Sequence, residues 1–409
     1  MTKHLAALAL VLLAACGDQA VEEPQPSEPP VKADPEHRNL LNAGFGASVV
    51  WRSGELTLEN SAMRAIDGDP VSAWSAPPAD PKQTLVFSLP APASINRLGI
   101  LTDAAPHNRA RNVSLAVSED GVKFEHLRDA ATGESAEPQF FEVSVPRARY
   151  IRVTVNEGGG HFTTLRSIFA SGEWLAPRSV APIAGCWTIN GFPARFVEKD
   201  GHVTGVLEGR ETLRFSGARH GAIYRFAWAA GPQWGEGLVT LSPDGNRLSG
   251  LRWHEEPAAH SDGAGWFGER RPCTPEPVDA ARVAERFLTA GGWYPLFALR
   301  FDEAGSLIEE ESAGGLEVIE NVLRQSPSQR IRLVSREFGA ESIDENRQRA
   351  TARLTSLRNV LLKRGLDVAR IDFDAAGSGS PRRPTPTEPY RALYSVIEIQ
   401  VPAAGRSAF

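Results

Sequence analysis

The chain is poor in several residues whose scarcity narrows what it can be. Its 409 residues include three cysteines, two methionines and five tyrosines. No apolar run approaches the roughly 20 residues that a bilayer-spanning helix needs. Positive charge is outweighed, with 44 lysines and arginines against 50 acids and a formal net charge of -6. With no long basic stripe to offset that balance, nucleic acid is not expected as the main partner. Three motifs that would announce common catalytic sites are also missing: a G-x-S-x-G elbow, an H-E-x-x-H helix and a P-loop. No stretch is long enough for a separate catalytic barrel. What is plentiful is glycine and proline, 37 and 30, the residues of turns. The length exceeds one ordinary core and points to several domains.

The amino terminus carries an export signal. Lys3 and His4 precede an apolar run from Leu5 to Ala15, the length of a signal-peptide core over residues 1–15. The run ends Leu13-Ala14-Ala15-Cys16 and is followed by Gly17 and Asp18. This resembles the bacterial lipobox, which implies cleavage before Cys16, a diacylglycerol (and palmitate) modification of its thiol, and a lipoprotein. The alternative is an ordinary signal peptide cut at an A-x-A-like site. Because Gly17 rather than Asp follows the cysteine, the sorting pattern implies the outer membrane, with the globular part in the periplasm. Residues 16–38 then mix Pro24, Pro26, Pro29, Pro30 and Pro35 with acids. Such a segment buries too little to fold, and at about 3 Å per residue it reaches up to ~70 Å as a tether. The two remaining cysteines, Cys186 and Cys273, suit a disulfide in an oxidising compartment; buried free thiols are the other reading.

From 39 to 174 short strand-like runs alternate apolar with polar residues: Leu85–Leu89, Ile95–Ile100, Val113–Val117 and Tyr150–Val155. Their spacing predicts a β-sandwich. The landmarks Ala65-Ile66-Asp67-Gly68-Asp69, Ala73-Trp74, Val117-Ser118-Glu119-Asp120-Gly121 with Phe124, and Ala148-Arg149-Tyr150-Ile151-Arg152-Val153 occur in order. They resemble the discoidin or galactose-binding-like family. That resemblance implies a jelly-roll sandwich and a structural calcium ion held by Asp67, Asp69 and Ser72, with oxygen ligands at 2.3–2.6 Å. Ser167 stands where the family's second acid is expected, and a plain Asp-Gly turn is the competing reading. The resemblance also implies sugar binding by loops at one end. Trp51, His107, Asn108, Arg109, His161 and Phe162 are the candidates, whereas Trp74 reads as core.

Residues 178–274 read as a small antiparallel β-meander carrying both cysteines. Pro243-Asp244-Gly245-Asn246 is its clearest turn. Trp187, Trp228, Trp234, Trp253 and Trp266 recur through it, as a stacking surface for glycan or as its core.

From 277 to 409 the pattern becomes α+β. A helical lead-in over 279–289, a strand over Leu296–Phe301, helices over 316–323 and 343–364, and strands over 331–334, 370–375 and 393–401 give β-α-β-α-β-β. Ala350, Leu354, Leu357, Val360 and Leu361 share one face of the long helix, and Gly365 is a natural stop. The arrangement resembles the OmpA-like family of peptidoglycan-binding domains. In that family an acid takes the stem peptide's ammonium and an arginine its carboxylate. The family's helix-start Asn falls on Asn346 and its Arg on Arg353, with Arg349 and Ala350 between them. Its Asp falls on Phe338, next to Glu337, and its closing arginines fall near Tyr394-Ser395-Val396, which has none.

Taken together, the sequence predicts a non-catalytic lipoprotein of the outer membrane. It would contact peptidoglycan through Arg353, Asn346 and Glu337, with β domains open to glycan or protein. No cofactor is expected beyond calcium. The rivals are an envelope scaffold without the wall ligand and, less favoured, a glycan-active enzyme. Acidic runs such as Glu309, Glu310 and Glu311 read as a solvated face.

Overall fold

The computed structural model describes residues 39–402 apart from 79–81, 134–136, 159, 256–263, 275, 277–280, 326–329, 339–341 and 379–394. The expected export signal, Cys16 and the expected tether therefore lie outside the described residues, as does Tyr394. Among the described residues no helix is long and apolar enough to cross a membrane.

The first domain is a sandwich of β1 (Ser48–Arg52), β2 (Trp74–Ala76), β3 (Gln83–Thr102), β4 (Asn112–Ser118), β5 (Glu125–Ala131), β6 (Gln139–Glu157) and β7 (Thr163–Trp174). The order is β2-β7-β3-β6-β4-β5, with β1 on β3. Where short strands were expected, β3 and β6 are long. Leu85–Leu89 and Ile95–Ile100 are two arms of one strand, which breaks register against β6 between Ser88 and Ala93. Pro90 and Pro92 sit in that break, where a missing N–H costs no ladder bond. Leu85, Phe87, Leu89, Ile95, Leu98 and Ile100 point inward onto Ile151, Val153, Val155 and Trp74.

The middle domain closes completely. It comprises β8 (Gly185–Ile189), β9 (Phe192–Lys199), β10 (His202–Glu208), β11 (Thr212–His220), β12 (Ile223–Ala230), β13 (Gln233–Leu241), β14 (Arg247–His254) and β15 (Ala264–Arg271). Neighbours pair antiparallel all the way round, and β15 returns to β8. The expected meander lacked β11 and β15, whose arginines and glycines dilute the alternation. Closure removes the exposed edges that a meander would leave. Phe196, Phe215, Tyr224, Phe226, Trp187, Trp228 and Trp266 fill the interior. Gly205, Gly217 and Gly237 make room for those rings, since a Cβ there would stand 2.4–2.7 Å from Phe196, Phe226 and Trp266 respectively. Cys186 and Cys273 form a disulfide with Cα atoms 5.8 Å apart, beside the β15–β8 seam.

The last domain begins with α1 (Ala281–Arg286), which runs into one π turn, Phe287–Gly291. Then come β16 (Trp293–Pro295), α2 (Ala313–Gln325), β17 (Ile331–Arg336), α3 (Ile343–Lys363), β18 (Ile371–Gly377) and β19 (Val396–Gln400). The sheet order is β16-β19-β17-β18, with β17 and β18 parallel. A capping box starts α3: the Ser342 hydroxyl accepts from Glu345 N, and Ser342 N donates to Glu345. Gly365, at φ +77°, follows its end. The expected strand over 296–301 is displaced to 293–295. Leu296–Leu299 is a buried turn instead, and it is apolar because it lies against the barrel.

Both outer domains borrow the barrel's outer face. Ile223, Leu238 and Leu251 join the first domain's core, and β1 meets β14 through Ser48 Oγ and Ser249 Oγ, 2.9 Å apart. Arg52 lies 4.0 Å over the Phe267 ring. On the other side Ala218, Ala227, Ala229 and Trp234 join the core of the last domain. Strand β12 is consequently buried along its whole length.

Candidate functional site

The sugar-site candidates gather at one end of the sandwich. The loop after β3 carries His107 and Asn108, and the loop before β7 carries His161 and Phe162. Two backbone bonds tie the loops: His161 N donates to His107 O at 3.2 Å, and Thr164 N to Asn108 O at 2.8 Å. This sets the two imidazoles edge-to-face, with centroids 5.6 Å apart. Both are exposed, and Phe162 beside them is 42 % exposed. A bare aromatic face next to two imidazoles can stack on and hydrogen-bond to a polyhydroxylated ligand.

Arg109, expected in this set, is instead buried at 6 % exposure. Its Nε and Nη2 donate to the carbonyls of Asp103 and Ala104 at 3.3 and 2.9 Å. It fastens the loop from within. Arg166, in β7 and bridged to Asp103 at 3.5 Å, is a partly exposed cation beside this loop that the sequence pattern does not single out. Trp51 is 44 % exposed but belongs to β1, opposite Val86.

The Asp67 loop follows a 3-10 turn, Ala62–Ile66. Ser72 Oγ lies 2.8 Å from both carboxylate oxygens of Asp67, 3.1 Å from Asp69 O and 3.3 Å from Arg64 O. Four residues thus converge through five oxygen atoms, the chemistry of a hard-cation site but short of the six to eight ligands calcium takes. In charge it is already balanced. Arg64 Nη1 bonds Asp67 Oδ2 at 3.2 Å with both side chains buried, and Ser167, buried, supplies no second acid. The Asp69 side chain accepts from Val71 N at 2.9 Å and turns the loop. Burial pushes the Asp67 carboxyl up to about 6, with Arg64 and the loop hydrogen bonds pulling the other way. An i,i+3 Arg–Asp pair was readable in the sequence as the competing cation.

None of the five middle-domain tryptophans makes a stacking surface. Trp187, Trp228 and Trp266 are inside the barrel. Trp234 packs on Phe287 and Trp293 beneath the last domain, and Trp253 packs against the first.

In the last domain the structure brings Arg353 and Glu337 together but not as an open pair. Arg353 Nη1 donates to Glu337 Oε1 at 2.5 Å, and Glu337 is only 2 % exposed. Burial raises the Glu337 carboxyl, while Arg353 lowers it. Asn346 is buried and donates to Ser378 Oγ at 2.9 Å. Phe338 is buried and its N–H donates to Ser395 Oγ at 3.0 Å. Among the described residues, no three of His, Cys, Asp and Glu gather where they could hold a metal ion.

Compared with known families, residues 48–168 match the model of the F5/8 type C domain. The chain carries an F5/8 type C domain. This F5/8 type C domain spans β1 to the middle of β7, so the His107–His161 loops lie within it. No curated protein matches the chain. Among solved structures, a CBM32 module from Clostridium perfringens in complex with GalNAc-β-1,3-galactose is 21 % identical, covering 33 % of this chain and 100 % of that one, with a TM-score of 0.29. A putative chitobiase fragment from Bacteroides thetaiotaomicron is 19 % identical over 36 % and 98 % of the two chains, at 0.30. The family 32 module of a Clostridium perfringens protein in complex with galactose is 17 % identical over 32 % and 96 %, at 0.27.

Proposed function

We propose that the protein is a non-catalytic glycan-binding protein of the bacterial envelope, taking sugar on the F5/8 type C domain at His107, His161 and Phe162. The observation that supports this most is the exposed Phe162 face beside two imidazoles on loops tied together by the His161–His107 and Thr164–Asn108 backbone bonds. Titration calorimetry of the full chain with galactose-terminated oligosaccharides should detect binding. Phe162→Ala should weaken it at least about tenfold, the value of about 1.4 kcal/mol of lost stacking. Trp51→Ala should leave it unchanged, and sugar binding that survives Phe162→Ala intact would place the site elsewhere.

A lipid on Cys16 would hold this glycan-binding body to the outer membrane across the tether. For the last domain, the closed Arg353–Glu337 bond favours an envelope scaffold over a peptidoglycan clamp. A stem peptide would have to part a buried ion pair before meeting either group. A Cys16→Ser chain should leave the membrane fraction, and once free it should remain in the supernatant with insoluble peptidoglycan. Sedimentation that Arg353→Ala abolishes would instead restore the OmpA-like wall-binding reading.

A further inference from the structure

The barrel's contact with the last domain contains a histidine whose hydrogen bonds dictate its protonation. His220 ends β11, and its Nε2 lies 3.0 Å from the Phe297 carbonyl oxygen. A carbonyl can only accept, so Nε2 carries the proton and Nδ1 keeps its lone pair. That lone pair faces Arg300 Nη1 at 3.5 Å. The same Nη1 donates to Arg219 O at 2.6 Å, which holds the guanidinium in place.

The surroundings are cationic from each element packed there. From β12, Arg225 lies 4.2 Å over the Phe297 ring and pairs with Glu236 of β13 at 3.5 Å. From the turn after β16, Arg300 pairs with Glu311 at 3.7 Å. From α3, Arg353 pairs with Glu337 and its field also reaches the imidazole. Each arginine holds its own carboxylate, and none of these acids is bonded to His220. A proton on Nδ1 would turn the Arg300 contact into one donor facing another, both positively charged.

We propose that His220 makes the docking of the last domain on the barrel an acid-released latch, closed while Nδ1 is neutral and opened by its protonation. Burial first, then Arg225 and Arg300, hold this imidazole well below its ordinary value. The docked state therefore binds fewer protons than the undocked one below the ordinary histidine value of about 6.5. Docking is complete above that pH and is lost as pH falls. His202 flanks the same contact. Its Nε2 meets Ser216 Oγ at 2.8 Å, which in turn meets Tyr294 OH at 2.7 Å. Burial lowers the His202 imidazole to about 4, so its protonation also works against docking, but through burial rather than through the arginines that surround His220.

Small-angle scattering of the full chain tests this. The radius of gyration should rise between pH 7.5 and 4.5, with far-ultraviolet dichroism retained. The open-to-docked ratio should grow by up to about tenfold per pH unit below 6.5. His220→Gln can keep both bonds through its neutral amide, and its radius should rise less, and at lower pH, than the parent's. His202→Gln should still open, with a shallower dependence on pH. A parent radius constant to pH 4.5, an equal expansion in His220→Gln, or expansion only with loss of the dichroism would each overturn the proposal.

Discussion

Replacing Trp228 with alanine should cost about 3–5 kcal/mol, the range for deleting a large aromatic from a packed core. Its side chain is fully buried, and its Nε1 donates to Glu236 O at 3.0 Å. Relaxation into the space is blocked on both sides. Inside the barrel His254 meets the ring edge-on at 4.8 Å; of the two cross-strand partners, Gly235 has no side chain to swing in and Phe215 is already packed in the core. Outside, the flanking Ala227 and Ala229 are already in contact with the last domain's core. Strand β12 cannot shift outward without undocking that domain. Urea denaturation should show the loss as an earlier midpoint, with the slope unchanged if the domains still unfold together. A loss under 1 kcal/mol would mean that the barrel repacks easily, and Trp51→Ala, on an exposed position, provides the near-neutral comparison.

Arg64→Met should cost about 3 kcal/mol at pH 7, because it leaves Asp67 buried without its counter-charge. The dependence on pH follows from the direction of the Asp67 shift. Its carboxyl titrates at about 6 in the folded chain against an ordinary 3.8, so the folded state holds the proton more tightly between those values. Stability contributed by this group therefore grows as pH falls through that window. Without Arg64 the folded value climbs further. The deficit of the variant should then shrink by up to about 1.4 kcal/mol for each unit of acidification from pH 7. We propose that Arg64 serves in place of a calcium ion, so the parent's melting temperature should not respond to chelator or to millimolar calcium. A calcium-dependent rise of several degrees in the parent would show that the oxygens around Ser72 take the ion despite Arg64.

How much of this was legible depended on whether the cause was local. Helix α3 could be read nearly to its ends, because Ser342, Glu345 and Gly365 are local signals and its apolar residues repeat at 3.6. Strands β3 and β6 were visible as arms but not as continuous strands, since a proline corner looks like a break. Strands β11 and β15 were missed because Gly217 and Gly268 occupy inward positions that alternation expects to be apolar. Gly217 makes room for the Phe226 ring and Gly268 for the Ile189 side chain, each on a neighbouring strand. The turn over Leu296–Leu299 looked like a strand because burial against another domain makes a loop apolar. At the sugar end the types were readable, and His107, His161 and Phe162 do meet. That Arg109 faces inward was not, since it depends on where the Asp103 and Ala104 carbonyls point. The Arg353–Glu337 contact likewise needed the register of β17 against α3.

The disulfide gives the chain an unequal response to tension. Cys186 lies at the entry to the barrel and Cys273 at its exit, 87 residues apart in sequence but joined side by side. A pull between the first domain and the last passes along the chain from one sulfur to the other and bypasses the covalent path between them. Those residues, roughly 300 Å of chain if drawn out, are withheld from stretching for as long as the bond stays oxidised. The barrel then acts as a fixed coupling, and only the short leaders before Cys186 and after Cys273 can lengthen under load.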